Sequence, residues 1–457
     1  MLTISPEALK KYDVVGPRYT SYPTAPVWSN DINEVTYRQK LNTFGQTDKT
    51  LSLYIHIPFC ESLCTFCACS VIIHRQDEKY SQEYLNHLFK EIELVSQAIG
   101  PKKTIRQLHW GGGTPNYLTA TQIESLFIKI QQHFNLAQDA EIALEIDPRT
   151  IDKNQLQTLR RLGFNRISMG IQDFTDEVQR AVNRIQPFEQ VKEYYDYCRQ
   201  LGFTSINFDL IYGLPKQTVK SFKETIQKVI DLKPERIALY SFAYLPSLKK
   251  HQTKIDSQDL PSHEAKLNLF LHSRTEFLKS GYTAIAMDHF ALKDDELAKA
   301  FDQGQLYRNF MGYTVKPADE FIGLGITSIG FLENLFVQNK KVLAEYYELL
   351  AHGHLPVERG KLLSSDDQIR QWTIHSLMCQ FHIDKNVFAQ KFGIKFDQYF
   401  ADEAEHVQNC VKDGLLIVTQ KNLQVTELGK IFIRNICMGF DYYLKQKTIR
   451  SQFSQTV

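Results

Sequence analysis

Residues 51–69 read LSLYIHIPFCESLCTFCAC. Its first half, Leu51-Ser-Leu-Tyr-Ile-His-Ile-Pro58, is a short β-rich run. Its second half, Cys60-Glu-Ser-Leu-Cys64-Thr-Phe-Cys67, sets three thiols at C-x3-C-x2-C spacing on the loop directly after that strand. Three closely spaced thiolates can hold three irons of a cubane cluster, whereas closed clusters usually have four cysteines. The fourth iron is then left without a ligand from this motif, and an open metal position takes a small chelating molecule. The competing reading is a zinc site completed by Cys69 or His56. Structural zinc sites pair two knuckles well separated in sequence, and this chain has no second knuckle.

From residue 51 onward, β-rich runs alternate with helical stretches. The expected strands are Leu51–Ile57, Gln107–Trp110, Glu141–Ile146, Arg166–Ile171, Ile206–Ile211 and Arg236–Phe242. One intervening helix carries Leu85, Leu88, Ile92 and Val95 on a single stripe and stops at Gly100-Pro101. Another opens with Pro187, a favoured first-turn residue. Six β-then-α units in a row imply a parallel sheet with right-handed crossovers. The motifs cluster at the C-terminal ends of successive strands, as they do in barrels. The expected fold class is α/β, an open doubly wound sheet or a barrel, and the motif placement suits a partial (β/α)6 TIM-like barrel. Residues 1–45 form an N-terminal extension, whose Val15–Pro26 stretch is too rich in proline to be a regular helix. Residues 46–360 form the barrel, and residues 361–457 form a smaller, mainly helical domain. In that last segment a hairpin, Leu415–Thr419 with Leu423–Thr426, precedes a helix from about Glu427, as in a winged helix.

At 457 residues the chain suits a large catalytic domain plus a smaller one. Its 53 Lys and Arg nearly cancel 52 Asp and Glu, which argues against a nucleic-acid partner. No apolar run approaches the roughly 20 residues that span a bilayer, and the opening MLTISPEALKKYDVV lacks a secretory pattern. A cytoplasmic monomer with no membrane partner is expected. Of eight cysteines, four fall within residues 60–69 and four are scattered, which is no disulfide framework. Cys198 shares a stripe with Phe188, Val191, Tyr194 and Leu201, and Cys379, Cys410 and Cys437 read as small buried hydrophobes.

Several blocks go beyond generic pattern: GPRYTSYPTA (16–25), YIHIPFCESLCTFCAC (54–69), HWGGGTP (109–115), EIDPR (145–149), MGIQDF (169–174), FDLIYGLP (208–215), MDHFA (287–291), RNFMGYT (308–314) and RNICMGFD (434–441). Together they resemble the oxygen-independent coproporphyrinogen III oxidases of the radical S-adenosylmethionine (SAM) superfamily, nearly end to end. The resemblance implies a barrel of the radical SAM type with a [4Fe–4S] cluster on Cys60, Cys64 and Cys67, and SAM on the open iron. Reduction of the cluster would cleave SAM to a 5′-deoxyadenosyl radical. The implied reaction is oxidative decarboxylation of two propionates of coproporphyrinogen III to vinyls, giving protoporphyrinogen IX. A cellular reductant and an electron acceptor are implied as partners.

The resemblance also implies two SAM molecules. Tyr54, Gly112, Glu145 and Ile329 match positions that contact the cluster-bound one. Phe66, Gly113, Thr114, Gln172, Arg184, Asp209 and Ala243 match positions that contact the second. Taken singly, these residues have plainer readings: a glycine turn, a core Phe66, solvated or capping Gln172 and Arg184, and Asp147 beside Pro148 as a turn residue. Gly323-Leu-Gly-Ile-Thr-Ser328 lacks the last glycine of a dinucleotide fingerprint and reads as SAM-adjacent. Haem-binding chaperones share the catalytic domain but generally lack the GPRYTSYPTA segment and Cys69, both present here. Arg18, in that segment, is the candidate for meeting the substrate's propionates. Gly439 stands where relatives can carry cysteine.

Overall fold

Side chains of successive residues in a strand point to opposite faces, and the strands after residue 50 use this to bury one face completely. Ile167, Met169 and Ile171 are buried while Arg166, Ser168, Gly170 and Gln172 between them are only partly so. The computed structural model describes residues 4–315, 317–445 and 453–456. Its contacts divide the chain into two units. One is Trp28–Leu210 with Lys316–Leu362; the other is Met1–Val27, Ile211–Val315 and Leu363–Val457. Segments 1–45, 46–360 and 361–457 are therefore distributed over a division made by packing rather than by chain order.

The first unit carries the cysteine motif. Its strands are β1 (Leu51–Ile57), β2 (Thr104–Gly112), β3 (Asn135–Ile146), β4 (Arg166–Gln172), β5 (Ser205–Tyr212), β6 (Glu320–Leu324), β7 (Ile329–Leu332), β8 (Leu335–Asn339) and β9 (Val357–Leu362). They lie in the order β9-β8-β7-β6-β1-β2-β3-β4-β5. From β6 through β1 to β5 every pairing is parallel, and β6 through β9 are antiparallel. The five expected strands of this unit are all present, several with extra residues at their ends. The sixth, Arg236–Ser241, belongs to the other unit and runs antiparallel to His289–Leu292.

Helices fill the crossovers. Helix α1 (Glu78–Ile99) is capped by Asp77, whose carboxylate accepts from the Lys79 and Tyr80 amides, and it ends at Gly100 with φ 88°. It buries the expected Leu85, Leu88, Ile92 and Val95, together with Glu91. Capping boxes at Thr119 and Asp152 start α2 (Ala120–His133) and α3 (Lys153–Arg161). Helix α4 (Phe188–Gln200) corrects two details. Pro187 stands just outside the helix as its cap residue, and the buried stripe runs Val191, Tyr195, Cys198, with Tyr195 in place of Tyr194.

In the second unit, Ser365–Gln380, Lys385–Phe392 and Ala404–Lys412 are helical, and a three-stranded sheet joins His382–Asp384 to the hairpin Leu416–Val418 and Asn422–Val425. Helices Glu427–Ile431 and Ile433–Met438 follow. Cys379, Cys410 and Cys437 are buried, as expected of small hydrophobes. The N-terminal segment packs here. Tyr19 Oη donates to Asp441 (3.0 Å), Asn435 Nδ2 to Tyr12 O (2.7 Å), and Arg434 Nε to Pro17 O (2.8 Å).

Candidate active site

A parallel sheet is usually apolar on both faces, so a polar row across one face marks a place the core does not explain. Register puts Tyr54 beside His109, Glu145 beside Ser168, Ser168 beside Asn207 and Gly170 beside Asp209. These residues share one face of β1–β5, and their side chains are linked. Tyr54 stacks on His109 (6.0 Å between centroids), and His109 Nε2 donates to Glu145 Oε1 (3.0 Å). Ser168 Oγ donates to Asp209 Oδ2 (2.9 Å), and Asn207 Nδ2 to Asp209 Oδ1 (2.9 Å). Burial opposes ionisation of Glu145, but the His109 hydrogen bond and charge and the Gly112 amide hold its carboxyl below the usual range. His56 is pushed down to about 4 by burial and is neutral. Its Nε2 faces Ser70 O (3.2 Å) and therefore carries the proton, while Nδ1 accepts from Tyr54 Oη (3.1 Å).

The cysteine loop is fastened on three sides. The Gly113 and Thr114 amides donate to Ile57 O and Phe59 O (2.8 Å each). The Ile72 and His74 amides donate to Pro58 O (2.8 Å) and Cys60 O (3.0 Å), and the Thr65 amide to Val182 O (3.0 Å). Gly113 is required by this contact: a Cβ there would come 2.6 Å from Pro58 O and 2.7 Å from Phe59 O. At Gly112, with φ 115°, a Cβ would meet the His56 ring at 2.6 Å.

Cys60 Sγ lies 3.2 Å from Thr114 Oγ1. Buried Cys64 Sγ accepts from both Arg149 Nη2 and Arg184 Nη1, at 3.7 Å each. Asp147 holds these two guanidiniums side by side. Its Oδ2 accepts from Arg149 Nη2 (2.6 Å) and Arg184 Nη1 (3.0 Å), and its Oδ1 from Arg149 Nε (3.0 Å). Burial alone would raise Asp147; the Arg184 charge and the Arg149 hydrogen bonds bring it down to about 2.

This donor set suits an iron–sulfur cluster. Three thiols on one pinned loop can each serve one iron, and two cationic donors beside Cys64 can hydrogen-bond sulfur. Burial, with Cys67 and Cys64 alongside, pushes the Cys60 thiol up to about 11, so iron binding must displace its proton. Among the described residues no three His, Cys, Asp or Glu converge as a mononuclear site requires; a cubane, with one thiolate per iron, needs no such convergence.

The other expected site residues divide between the units. Phe66 is half-buried within the loop, Cys69 is exposed, and Gln172 ends β4 at a bulge with φ 64°. Tyr54 pairs with Gly323, and a Cβ on Gly323 would meet Ile329 O at 2.2 Å, so Ile329 crosses directly over that register position. Arg184 is neither solvated nor a cap. It is 8% exposed, and it also donates to Gly170 O (2.8 Å) and Gln186 Oε1 (3.1 Å). Ala243 and Arg18 lie in the second unit. Ala243 O accepts from Gln252 (3.0 Å), and Arg18 Nη2 donates to Ser241 O (2.7 Å).

Sequence reading missed two features. Asp147 and Arg149, inside the quoted EIDPR block, are the charged support of Cys64 rather than a plain turn. The Gly323–Ser328 stretch is built around Glu91, which is 2% exposed. Glu91 accepts from the Gly325 amide (2.8 Å), Asn339 Nδ2 (2.6 Å) and Tyr346 Oη (2.6 Å). Only an acidic residue in an otherwise apolar helical stripe signalled it.

The profile of the Radical SAM superfamily matches residues 54–229, and that of the HemN C-terminal domain matches 363–432. The chain is 43% identical over 449 residues to the oxygen-independent coproporphyrinogen III oxidase of Salmonella typhimurium, covering 98% of this chain and 97% of that one. It is 44% identical over 457 residues to the Synechocystis protein of that name, covering 99% and 98%. The solved structure of coproporphyrinogen III oxidase from Escherichia coli, a radical SAM enzyme, superposes with a TM-score of 0.91 at 43% identity, over 97% of this chain and 100% of that one. A mixed α/β fold with a parallel-rich sheet, a helical C-terminal region and a three-cysteine loop backed by paired guanidiniums thus coincides with end-to-end likeness, and the chain belongs to the oxygen-independent coproporphyrinogen III oxidase family of radical SAM enzymes.

Proposed function

We propose that this protein converts two propionate side chains of coproporphyrinogen III to vinyl groups, giving protoporphyrinogen IX for haem biosynthesis without oxygen. The observation that carries this reading is the likeness over nearly the whole chain to the coproporphyrinogen III oxidase of Escherichia coli. Each propionate would lose a hydrogen atom from the carbon β to its carboxylate, then carbon dioxide and one electron, which leaves to a cellular acceptor. The bound cluster and SAM supply one-electron hydrogen abstraction. The protein's part is to position that hydrogen and exclude other quenchers.

Cys60, Cys64 and Cys67 hold the cluster in this reading, with Arg149 and Arg184 donating hydrogen bonds to the Cys64 sulfur. Tyr54, Gly112, Glu145 and Ile329 contact a first SAM; the ionised Glu145 suits its ribose hydroxyls or sulfonium. Phe66, Gly113, Thr114, Gln172, Arg184, Asp209 and Ala243 contact a second SAM, and Arg18 meets a propionate. Residues 1–45 act as an extension contacting the active site, 46–360 as the catalytic barrel and 361–457 as the smaller domain. The protein works as a cytoplasmic monomer supplied with electrons by a cellular reductant. No helix among the described residues is long and apolar enough to cross a membrane.

The test is anaerobic. The cluster is reconstituted, SAM, a reductant, coproporphyrinogen III and a cell extract as electron acceptor are added, and protoporphyrin is followed by fluorescence after oxidation. SAM-dependent product is expected from the wild type and none from Cys64→Ser. Cluster-containing protein that binds haem stably and forms no product would make it a haem chaperone instead.

A further inference from the structure

In the second unit, Arg308 lies in the RNFMGYT block, to which the cluster and SAM readings assign no role. It is 7% exposed, yet its Nε and Nη1 find no hydrogen-bond acceptor among the described residues. The nearest recorded carboxylate oxygen, Asp288 Oδ1, is 3.9 Å from Nη1, beyond hydrogen-bond reach, and is already engaged by His289 Nδ1 at 2.7 Å. The guanidinium carbon lies 4.5 Å from the centroid of the Tyr313 ring. That ring contact leaves Nε and Nη1 without a hydrogen-bond acceptor.

Besides the Asp288 carboxylate, two further guanidiniums, Arg18 and Arg434, bear on this region. Asp288 feels Arg308 and Arg18, which with His289 bring its carboxyl down to about 2 against the effect of burial. Arg434 is pushed down to about 9 by burial and by Arg18, and its donors go to the carbonyls of Gly16, Pro17 and Gln455. One buried carboxylate thus faces three guanidiniums. A buried cation with unspent donors is costly unless an anion completes it.

We propose that Arg308 is the receptor for a propionate carboxylate of the tetrapyrrole. The assignment rests on the coproporphyrinogen reading above, and it adds a residue that the resemblance does not supply. The ligand is a carboxylate on a macrocycle that carries several; Tyr313 holds the guanidinium in place, and Arg18 and Arg434 add positive potential without contacting the same oxygen.

The test compares reconstituted wild type, Arg308→Lys and Arg308→Met by fluorescence titration with coproporphyrin III and with its tetramethyl ester, alongside turnover of coproporphyrinogen III. Arg308→Met should weaken coproporphyrin III binding by about tenfold or more, the loss for one charged hydrogen-bonded contact. Ester binding should stay within about twofold of wild type, and lysine should recover part of the loss. Unchanged coproporphyrin III affinity in Arg308→Met, with a wild type that makes product, removes the subsite and leaves the parent reading standing. Equal weakening of acid and ester, with lysine no better than methionine, makes Arg308 a packing residue and overturns the proposal. A wild type that neither binds coproporphyrin III nor makes product overturns both.

Discussion

Glu91 shows how one residue organises a stretch far from it in sequence. Its carboxyl sits on α1 and gathers donors from Gly325, Asn339 and Tyr346. Burial raises it to about 7 in spite of those donors. The folded state therefore holds the proton more tightly than the unfolded chain, whose value is near 4.5. The stability this contributes is complete below about 4.5 and is lost as pH rises through 7, a change of up to about 3 kcal/mol. Glu91→Gln should remove that dependence, and it should cost about 1–3 kcal/mol at pH 5, because its amide N–H meets groups that are themselves donors. Urea unfolding of both proteins at pH 5 and pH 8 checks this. A wild-type-minus-variant difference that does not narrow toward pH 8 would show that Glu91 does not titrate in that window.

At the scale of elements, the end of β2 and the cysteine loop form one hydrogen-bonded piece. The Gly113 amide reaches Ile57 O only because no side chain separates the two backbones. Gly113→Ala forces backbone against backbone, which cannot be relieved by a rotamer change. We expect a loss of about 2–3 kcal/mol, typical of severe overpacking, together with reduced iron after reconstitution. Thermal melting and iron analysis report the two effects separately; full iron content with an unchanged melt would mean that β2 can shift away at no cost. The strand–loop order of this piece was legible from the cysteine spacing and the preceding run. The pairing of Arg149 with Arg184 through Asp147 was not, because 35 positions separate the two arginines along the chain and only the packing of their loops brings them together.

At the scale of the molecule, the two ends of the chain share one unit. Residues 12–19 supply Tyr12 O to Asn435, the carbonyls of Gly16 and Pro17 to Arg434, and the Tyr19 hydroxyl to Asp441. Removing residues 1–27 would leave the buried Arg434 guanidinium without two of its acceptors and uncover the apolar ring of Phe432 beneath Tyr12. A loss of at least about 3 kcal/mol is expected, read as a lowered first unfolding midpoint and as tryptic cleavage within residues 363–445. Retention of the full-length midpoint would show that the segment is an appendage.

The residues alone determined the α/β alternation, the position of the cysteine loop after the first strand and the burial of the scattered cysteines. Each of these depends on local period, spacing or composition, which a chain displays without being folded. Strands β6–β9 and the strand His289–Leu292 that pairs antiparallel to Arg236–Ser241 escaped sequence reading, because short strands take their identity from partners tens to hundreds of residues away. The charge support of Cys64, the Glu91 hub and the unspent donors of Arg308 were decided only by tertiary structure. A buried charge is defined by what surrounds it, and those surroundings are assembled from distant segments.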